Sequence, residues 1–360
     1  MTRSPFRSSR VPMVPSFRRW LLFVTVSSLL GLAACSGGGA PDGDGGRAPG
    51  RRFLSVGTAP PGGAFFVIGG AFAQVLQDAS GGAWQVTAEA TKGTQENIRR
   101  LATGELDFGL ANSAITYFAV RGEREWEAPQ AVRAVMTLAP NVAFFVTPAN
   151  SGIETIRDLA GHRVTVGPAG AGFEHFVEPI LNAHGVSYDD FEPLHATQFG
   201  AVDLLADGSA AAAFLGGAVP TASITQAASA QRVRFVPFDP EVMKELVARY
   251  PFFEPATVPG GTYPGVEEDY PCLNVGSLHL IAAADADEEL VYEVTKAIWE
   301  NREAVIEKHP AGRTIRPEIV VKDTGTEFHP GAVRFYREIG IWPDTTSATE
   351  ASATEPSATE

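Results

Sequence analysis

Three stretches of the chain set glycine or small polar residues between an apolar run and a helix-patterned run: Thr58 to Phe66, Gly109 to Ser113 and Gly167 to Phe173. Each reads as a strand whose end opens into a helix N-terminus. Such an end leaves backbone N–H groups unpaired and carries a partial positive charge, so it holds a carboxylate without arginine. The chemistry this pattern supports is binding. At any single turn, Gly62, Gly63, Gly170 and Gly172 serve equally well as plain turn glycines. Three such turns in one chain favour a ligand site. Competing chemistries lack their residues. There is no Gly-x-Ser-x-Gly elbow, no His-Glu-x-x-His and no Walker-type loop, and Gly167 to Gly172 misses the dinucleotide-binding spacing. The seven histidines show no metal-ligand spacing, and Cys272 reads as a small buried hydrophobe. No catalytic residue, metal or cofactor is expected.

The elements that must position these turns alternate. Phe53 to Thr58 reads as a strand, Phe65 to Ala79 as a helix, and Trp84 to Thr91 as a half-buried strand. A helix capped by Thr94 and stopped at Gly104, the strand Asp107 to Ala111 and the helix Ala114 to Val120 follow. Val132 to Leu138 and Val142 to Thr147 read as strands meeting at Pro140-Asn141, the expected domain crossover. A second alternating series runs from there: strand Arg163 to Gly167, helix Phe173 to His184, helix Phe199 to Ala206 and strand Ala211 to Leu215. Asn274 to Ala284 reads as one apolar strand, Glu288 to His309 as one long amphipathic helix, and Val333 to Ile339 as the last helix. Alternation of this kind implies an α/β fold on open, largely parallel sheets. In such sheets, turns gather at the carboxyl ends of the strands, where clefts form.

The 360 residues carry 28 Lys and Arg against 42 Asp and Glu, a formal charge of −14. Residues 1–34 hold Arg3, Arg7, Arg10, Arg18 and Arg19 and no acid, so the remainder stands at −19. Such an acidic body is a poor partner for nucleic acid, and any anion site on it must be local. Arg18-Arg19, the short apolar run Trp20 to Gly31 and Leu32-Ala33-Ala34-Cys35 form a charged segment, an apolar segment and a small-residue cleavage site. The run is short and diluted by Thr25, Ser27 and Ser28, which argues against a retained membrane span. Leu32 to Cys35 resembles the bacterial lipobox, which implies acylation of Cys35, its emergence as the mature N-terminus and a periplasmic protein anchored to the membrane by lipid alone. Residues 35–52 read as a flexible tether, and the degenerate Ser-Ala-Thr-Glu repeats of 345–360 as a disordered acidic tail.

Val56 to Ala73, Thr87 to Asn97 and Leu101 to Ser113, with Val166 to Gly172, Phe214 to Pro220 and Phe328 to Ala332, resemble the TAXI family of solute receptors. These serve TRAP transporters, secondary transporters that work with an extracytoplasmic binding protein. The resemblance implies a type II periplasmic-binding-protein fold, two α/β domains hinged about a ligand cleft. The expected division is 53–138 with 259–344 for domain I and 139–258 for domain II. It implies capture of a small organic anion such as a dicarboxylate, glutamate or 2-oxoglutarate, and delivery to a sodium-coupled permease. By motif position the ligand would meet Thr58, Gly62, Gly63, Ala64, Phe65, Thr91 and Ser113, and, from the second domain, Gly170, Ala171, Gly172, Phe173 and Gly216. Two departures stand out. Ala59 to Phe66 replaces a family pattern of Gly-Gly-Thr-Gly-Gly-x-Tyr-Tyr, losing two phenol hydroxyls, and Lys92 stands where a small residue is common. Together they suggest a more apolar pocket with a cationic contact from Lys92. A ligand sensor docking on a signalling partner is the alternative; an exported α/β hydrolase is disfavoured by the missing nucleophile and base.

Overall fold

A computed structural model of the chain describes residues 51–61 and 63–343. The signal segment, Cys35, nearly all of the tether, Gly62 and the Ser-Ala-Thr-Glu tail lie outside the described residues. No helix among the described residues is long and apolar enough to cross a membrane.

The strands are β1 (Arg52–Gly57), β2 (Trp84–Glu89), β3 (Phe108–Asn112), β4 (Val132–Thr137), β5 (Val142–Pro148), β6 (Arg163–Thr165), β7 (Glu192–Leu194), β8 (Ala212–Gly217), β9 (Val233–Phe235), β10 (Phe253–Val258), β11 (Tyr270–Val275) and β12 (Leu278–Ala283). They form a five-stranded sheet in the order β2-β1-β3-β12-β4 and a seven-stranded sheet in the order β10-β11-β5-β8-β6-β7, with β9 also paired to β5. The helices are α1 (Ala64–Ala79), α2 (Thr94–Ala102), α3 (Ser113–Ala119), α4 (Glu174–Ala183), α5 (Gln198–Ala206), α6 (Ala222–Ala230), α7 (Pro240–Arg249), α8 (Glu288–Glu300), α9 (Arg302–Lys308), α10 (Pro317–Val320) and α11 (Pro330–Glu338). The β1-α1-β2-α2-β3-α3 series matches the alternation read from the sequence, with β1 parallel to both β2 and β3. Ile68, Phe72, Val75 and Leu76 bury one stripe of α1 on this sheet. Full burial of a side chain such as Phe72 contributes on the order of 2 to 3 kcal/mol.

Parallel pairing is confined to part of each sheet, since β12 runs antiparallel to both β3 and β4. The long apolar run Asn274 to Ala284 is not one strand. It divides at Gly276: β11 pairs with β10 and β5 in the seven-stranded sheet, while β12 joins the five-stranded one. Gly276 takes φ +103°, and a Cβ there would lie 2.6 Å from the Ala114 nitrogen, so only glycine makes this crossing. The return to the first sheet therefore falls at Gly276–Ser277, not at 258/259. The long C-terminal helix also divides, at Asn301, whose Nδ2 donates to the Ala297 carbonyl at 2.8 Å. Thr94 is the first residue of α2 and not its cap; Gly93 holds the cap position.

One apolar cluster lies under the five-stranded sheet around Phe72, Val291 and Phe335. The other joins Ile98, Ile115 and Phe118 of α2 and α3 to Phe145, Phe176 and Leu215 of the seven-stranded half. Packing is thus continuous across the two lobes on that side. Beside it, Arg124 Nη1 lies 3.0 Å from Glu178 of α4, and Glu125 approaches His175. The two lobes thus touch directly beside the cavity.

Candidate functional site

Between the sheets lies a cavity of about 60 Å³, bounded by the strand-to-helix turns of both lobes. At roughly 10–15 Å³ per water-sized centre, that is room for a few water-sized groups. From the first lobe come Ala59, Pro60, Pro61, Gly63, Ala64 and Phe65 on the β1-α1 turn, Lys92, Gly93 and Thr94 on the β2-α2 turn, and Asn112. The seven-stranded half contributes Pro168, Phe173, Phe176, Gln198, Gly216 and Gly217, and Asn141 stands on the first chain crossing.

Five helices begin on this cavity, and three of them, α1, α2 and α4, do so without a side-chain cap. Gly63, Gly93 and Phe173 occupy the cap positions of α1, α2 and α4, and none of these ends receives a side-chain cap. Side chains cap five other helices, Asn112 for α3, Thr197 for α5, Asp239 for α7, Asp287 for α8 and His329 for α11, while α6, α9 and α10 also lack a side-chain cap. The starts of α1 and α2 therefore keep N–H groups for something that is not protein, whereas at α4 the N–H groups of His175 and Phe176 already donate to the Gly172 and Phe173 carbonyls at 3.1 and 3.2 Å. Each such end is worth roughly half an elementary positive charge, and the lining contains no Asp, Glu, Arg or His. Lys92 is exposed at the rim and makes no ion pair among the described residues. Its backbone N–H donates to Glu96 Oε2 at 3.1 Å.

Neighbouring side chains fix this geometry. Gln198 Nε2 donates to the Gly216 carbonyl at 2.7 Å, and its Oε1 accepts from Ser223 Oγ at 2.9 Å, so the start of α5 is tied to the end of β8. Thr94 Oγ1 accepts the Asn112 N–H at 2.9 Å, which leaves its own hydroxyl proton free at the cavity wall. Asn112 spends its whole carboxamide: Oδ1 accepts from Ala114 and Ile115, and Nδ2 donates to the carbonyls of Val275 and Gly276.

Of the residues the sequence points to, Gly63, Ala64, Phe65, Lys92, Phe173 and Gly216 line the cavity. Thr58 does not; its hydroxyl donates to the Glu89 carbonyl at 2.7 Å and its carbonyl accepts from Thr91 Oγ1 and Asn97 Nδ2. Thr91 is consumed in the same network, also accepting the Gly93 N–H at 3.1 Å. Ser113 is fully buried, gives its N–H to the Ser277 carbonyl at 3.0 Å and leaves Oγ without a partner. Gly170, Ala171 and Gly172 stand at the closing edge instead: a Cβ on Gly172 would lie 3.1 Å from Ile115 of the other lobe. Gly62 lies outside the described residues. The residues that reading missed are Thr94 as a lining residue, Asn112, Asn141 and Gln198. Asn141 carried a signal in its Pro140-Asn141 turn between two apolar strands. Gln198 carried none.

Among the described residues that line the cavity there is no Cys, Ser, His, Asp or Glu. Cys272 is buried away from the cavity, and burial pushes its thiol up to about 12. Among the described residues no group of three or more His, Cys, Asp or Glu could hold a metal.

This two-sheet arrangement with its ligand-sized cleft is the two-domain, type II periplasmic-binding-protein fold. The chain belongs to the NMT1-like family, which it matches over residues 56–340. Among solved structures it is similar to PhnD1 from Prochlorococcus marinus in complex with methylphosphonate, with 13% identity over 81% of this chain and 99% of that one at a TM-score of 0.51. It is also similar to the periplasmic aliphatic sulphonate binding protein SsuA from Escherichia coli, with 16% identity over 73% of this chain and 81% of that one at a TM-score of 0.44. A third is the binding protein component of an ABC phosphonate transporter from Pseudomonas aeruginosa, with 10% identity, coverage of 73% and 80%, and a TM-score of 0.49.

Proposed function

We propose that the chain is an extracytoplasmic solute receptor that closes its two lobes over one small organic anion and hands it to a membrane permease. The observation that carries this reading is the convergence of three helix N-termini without side-chain caps on one cavity whose lining holds no acidic side chain. A carboxylate there replaces hydration by backbone N–H groups already in place, without reorganisation of the protein. The resemblance to TAXI receptors makes a sodium-coupled TRAP permease the favoured partner, and glutamate or 2-oxoglutarate the first ligands to try. The Cys35 lipobox supports attachment to the membrane by lipid, in the periplasm.

A second reading takes the ligand to be a phosphonate or sulfonate and the partner an ABC transporter. The likeness to methylphosphonate-bound PhnD1 favours it. Titration calorimetry with glutamate, 2-oxoglutarate and methylphosphonate separates the two. Binding of a carboxylate and not of methylphosphonate supports the first, the reverse supports the second, and no binding of any of the three counts against both.

A further inference from the structure

Asn141 sits on the first chain crossing between the sheets, is 9% exposed and lines the cavity. Its backbone is fully employed: the N–H donates to Asn274 Oδ1 at 2.9 Å and the carbonyl accepts from Val275 at 2.8 Å. Its carboxamide is not, since it forms no hydrogen bond among the described residues. A carboxamide that has no protein partner and opens on a ligand cavity is available to a partner from outside.

Asn274, 2% exposed, is the reason Asn141 stands there. Besides holding the Asn141 N–H, its Nδ2 donates to Ser277 Oγ at 3.0 Å and to Glu254 Oε2 at 3.2 Å. Glu254 is in turn paired with Lys322. One side chain thus ties the outgoing crossing at Asn141 to the return crossing at Ser277. Asn112 reaches the same return crossing from the cavity side through Val275 and Gly276.

From this geometry we infer that Asn141 is a ligand-binding residue whose carboxamide donates to the bound anion, and that Asn274 is its positioning residue, so that the ligand is gripped on the hinge itself as well as by the helix ends. This rests on the anion-receptor reading above. The hinge contact makes ligand occupancy bear directly on the two crossings that must twist when the lobes part.

Calorimetry of the purified chain with glutamate, 2-oxoglutarate and methylphosphonate as probes tests it. For whichever probe binds, Asn141→Ala should weaken affinity about tenfold to a hundredfold, the range for one hydrogen bond to a charged group. Asn141→Asp, equal in shape but anionic, should weaken it more. Asn274→Ala should also lose at least about tenfold, whereas Asn274→Asp combined with Glu254→Gln keeps an acceptor for the Asn141 N–H without facing two carboxylates and should restore most of the affinity. A merely structural Asn274 would lower the melting temperature of both variants and leave the affinity of the folded protein alone. Wild-type affinity in Asn141→Ala, or equal affinity in Asn274→Ala and the unaltered chain, overturns the assignment while the receptor reading stands. If the unaltered chain binds none of the probes and carries no co-purified anion, both fall together.

Discussion

At the scale of single residues, the site separates groups that hold the protein together from groups left for a ligand. Ser113 and Thr58 look alike in sequence, each a small hydroxyl at a strand end beside a glycine turn. The structure spends the Thr58 hydroxyl on Glu89 and leaves Ser113 Oγ buried and unpaired off the cavity. Ser113→Ala should therefore change ligand affinity by less than about threefold and leave stability equal or up to about 1 kcal/mol higher, since it removes an unsatisfied hydroxyl. A tenfold loss of affinity in calorimetry would put Ser113 back in the site. Gly63 is the opposite case. Its φ of −100° suits any residue, and a Cβ meets only Gln198 Nε2 at 3.6 Å, so the fold accepts a side chain there. Gly63→Val places two methyls over the N–H groups that open α1, and should cost at least about tenfold in affinity with a nearly unchanged melting temperature. Lys92, exposed at the rim, should matter less: Lys92→Met is expected to reduce affinity modestly and to flatten its salt dependence, because an exposed charge is screened. A larger loss in Lys92→Met than in Gly63→Val would make the lysine the principal anion contact.

At the scale of elements, the α3 region meets α4 at the edge of the cavity, where lobe closure would be controlled. Gly172 has φ +87° and abuts Ile115 across the cleft, so Gly172→Ala adds both backbone strain and a 3.1 Å contact. It should favour the open form and weaken binding several-fold. Small-angle scattering at saturating ligand should show a larger radius of gyration; an unchanged radius would mean that this edge does not control closure. Beside it, His175 Nε2 lies 3.0 Å from Glu125 Oε2, but at an angle that makes no hydrogen bond, and both ring nitrogens are left without one. Burial, reinforced by Arg124, lowers His175 to about 3; burial alone does the same to His279 in β12, whose Nε2 meets Thr116 Oγ1 at 2.8 Å. Both rings stay neutral in the fold while the unfolded chain protonates near its ordinary value of 6.5. Stability is thus held above that pH and lost as the pH falls toward 3, by up to about 1.4 kcal/mol per pH unit for each ring. Glu125, raised chiefly by burial, acts in the opposite sense: its contribution is present below its ordinary range and lost as the pH rises through the raised value. The melting temperature should fall from pH 7 to pH 5, and His279→Gln should flatten that fall; an identical slope in the variant would contradict it.

These elements also show how far the sequence could be read. The glycine turns before α1 and α4 were legible because the signal is local, a small-residue run between two periodic ones. The division of Asn274 to Ala284 was hidden by apolar residues on both sides, although Gly276 is the residue that makes it. Gln198 and Asn112 became visible only in three dimensions, because their partners, Gly216 and the Val275–Gly276 crossing, are brought to them by strand order and not by spacing along the chain.

At the scale of the whole molecule, the proposed anion capture would rest on local dipoles acting against the chain's own net charge of −14. Specificity then rests on the shape of a small cavity that both lobes must complete. The lipobox reading belongs at this scale: Cys35→Ala should free the protein from the membrane fraction with its ligand affinity intact, and unchanged detergent partitioning would count against lipid attachment. The most direct measurement is native mass spectrometry of the chain purified without refolding, followed by release and identification of any bound small molecule, with Gly63→Val carried in parallel. One small organic anion per chain, present in the unaltered protein and absent or much reduced in Gly63→Val, is the expected result. A neutral or cationic ligand, or an anion retained equally by Gly63→Val, would contradict anion capture at the converging helix ends.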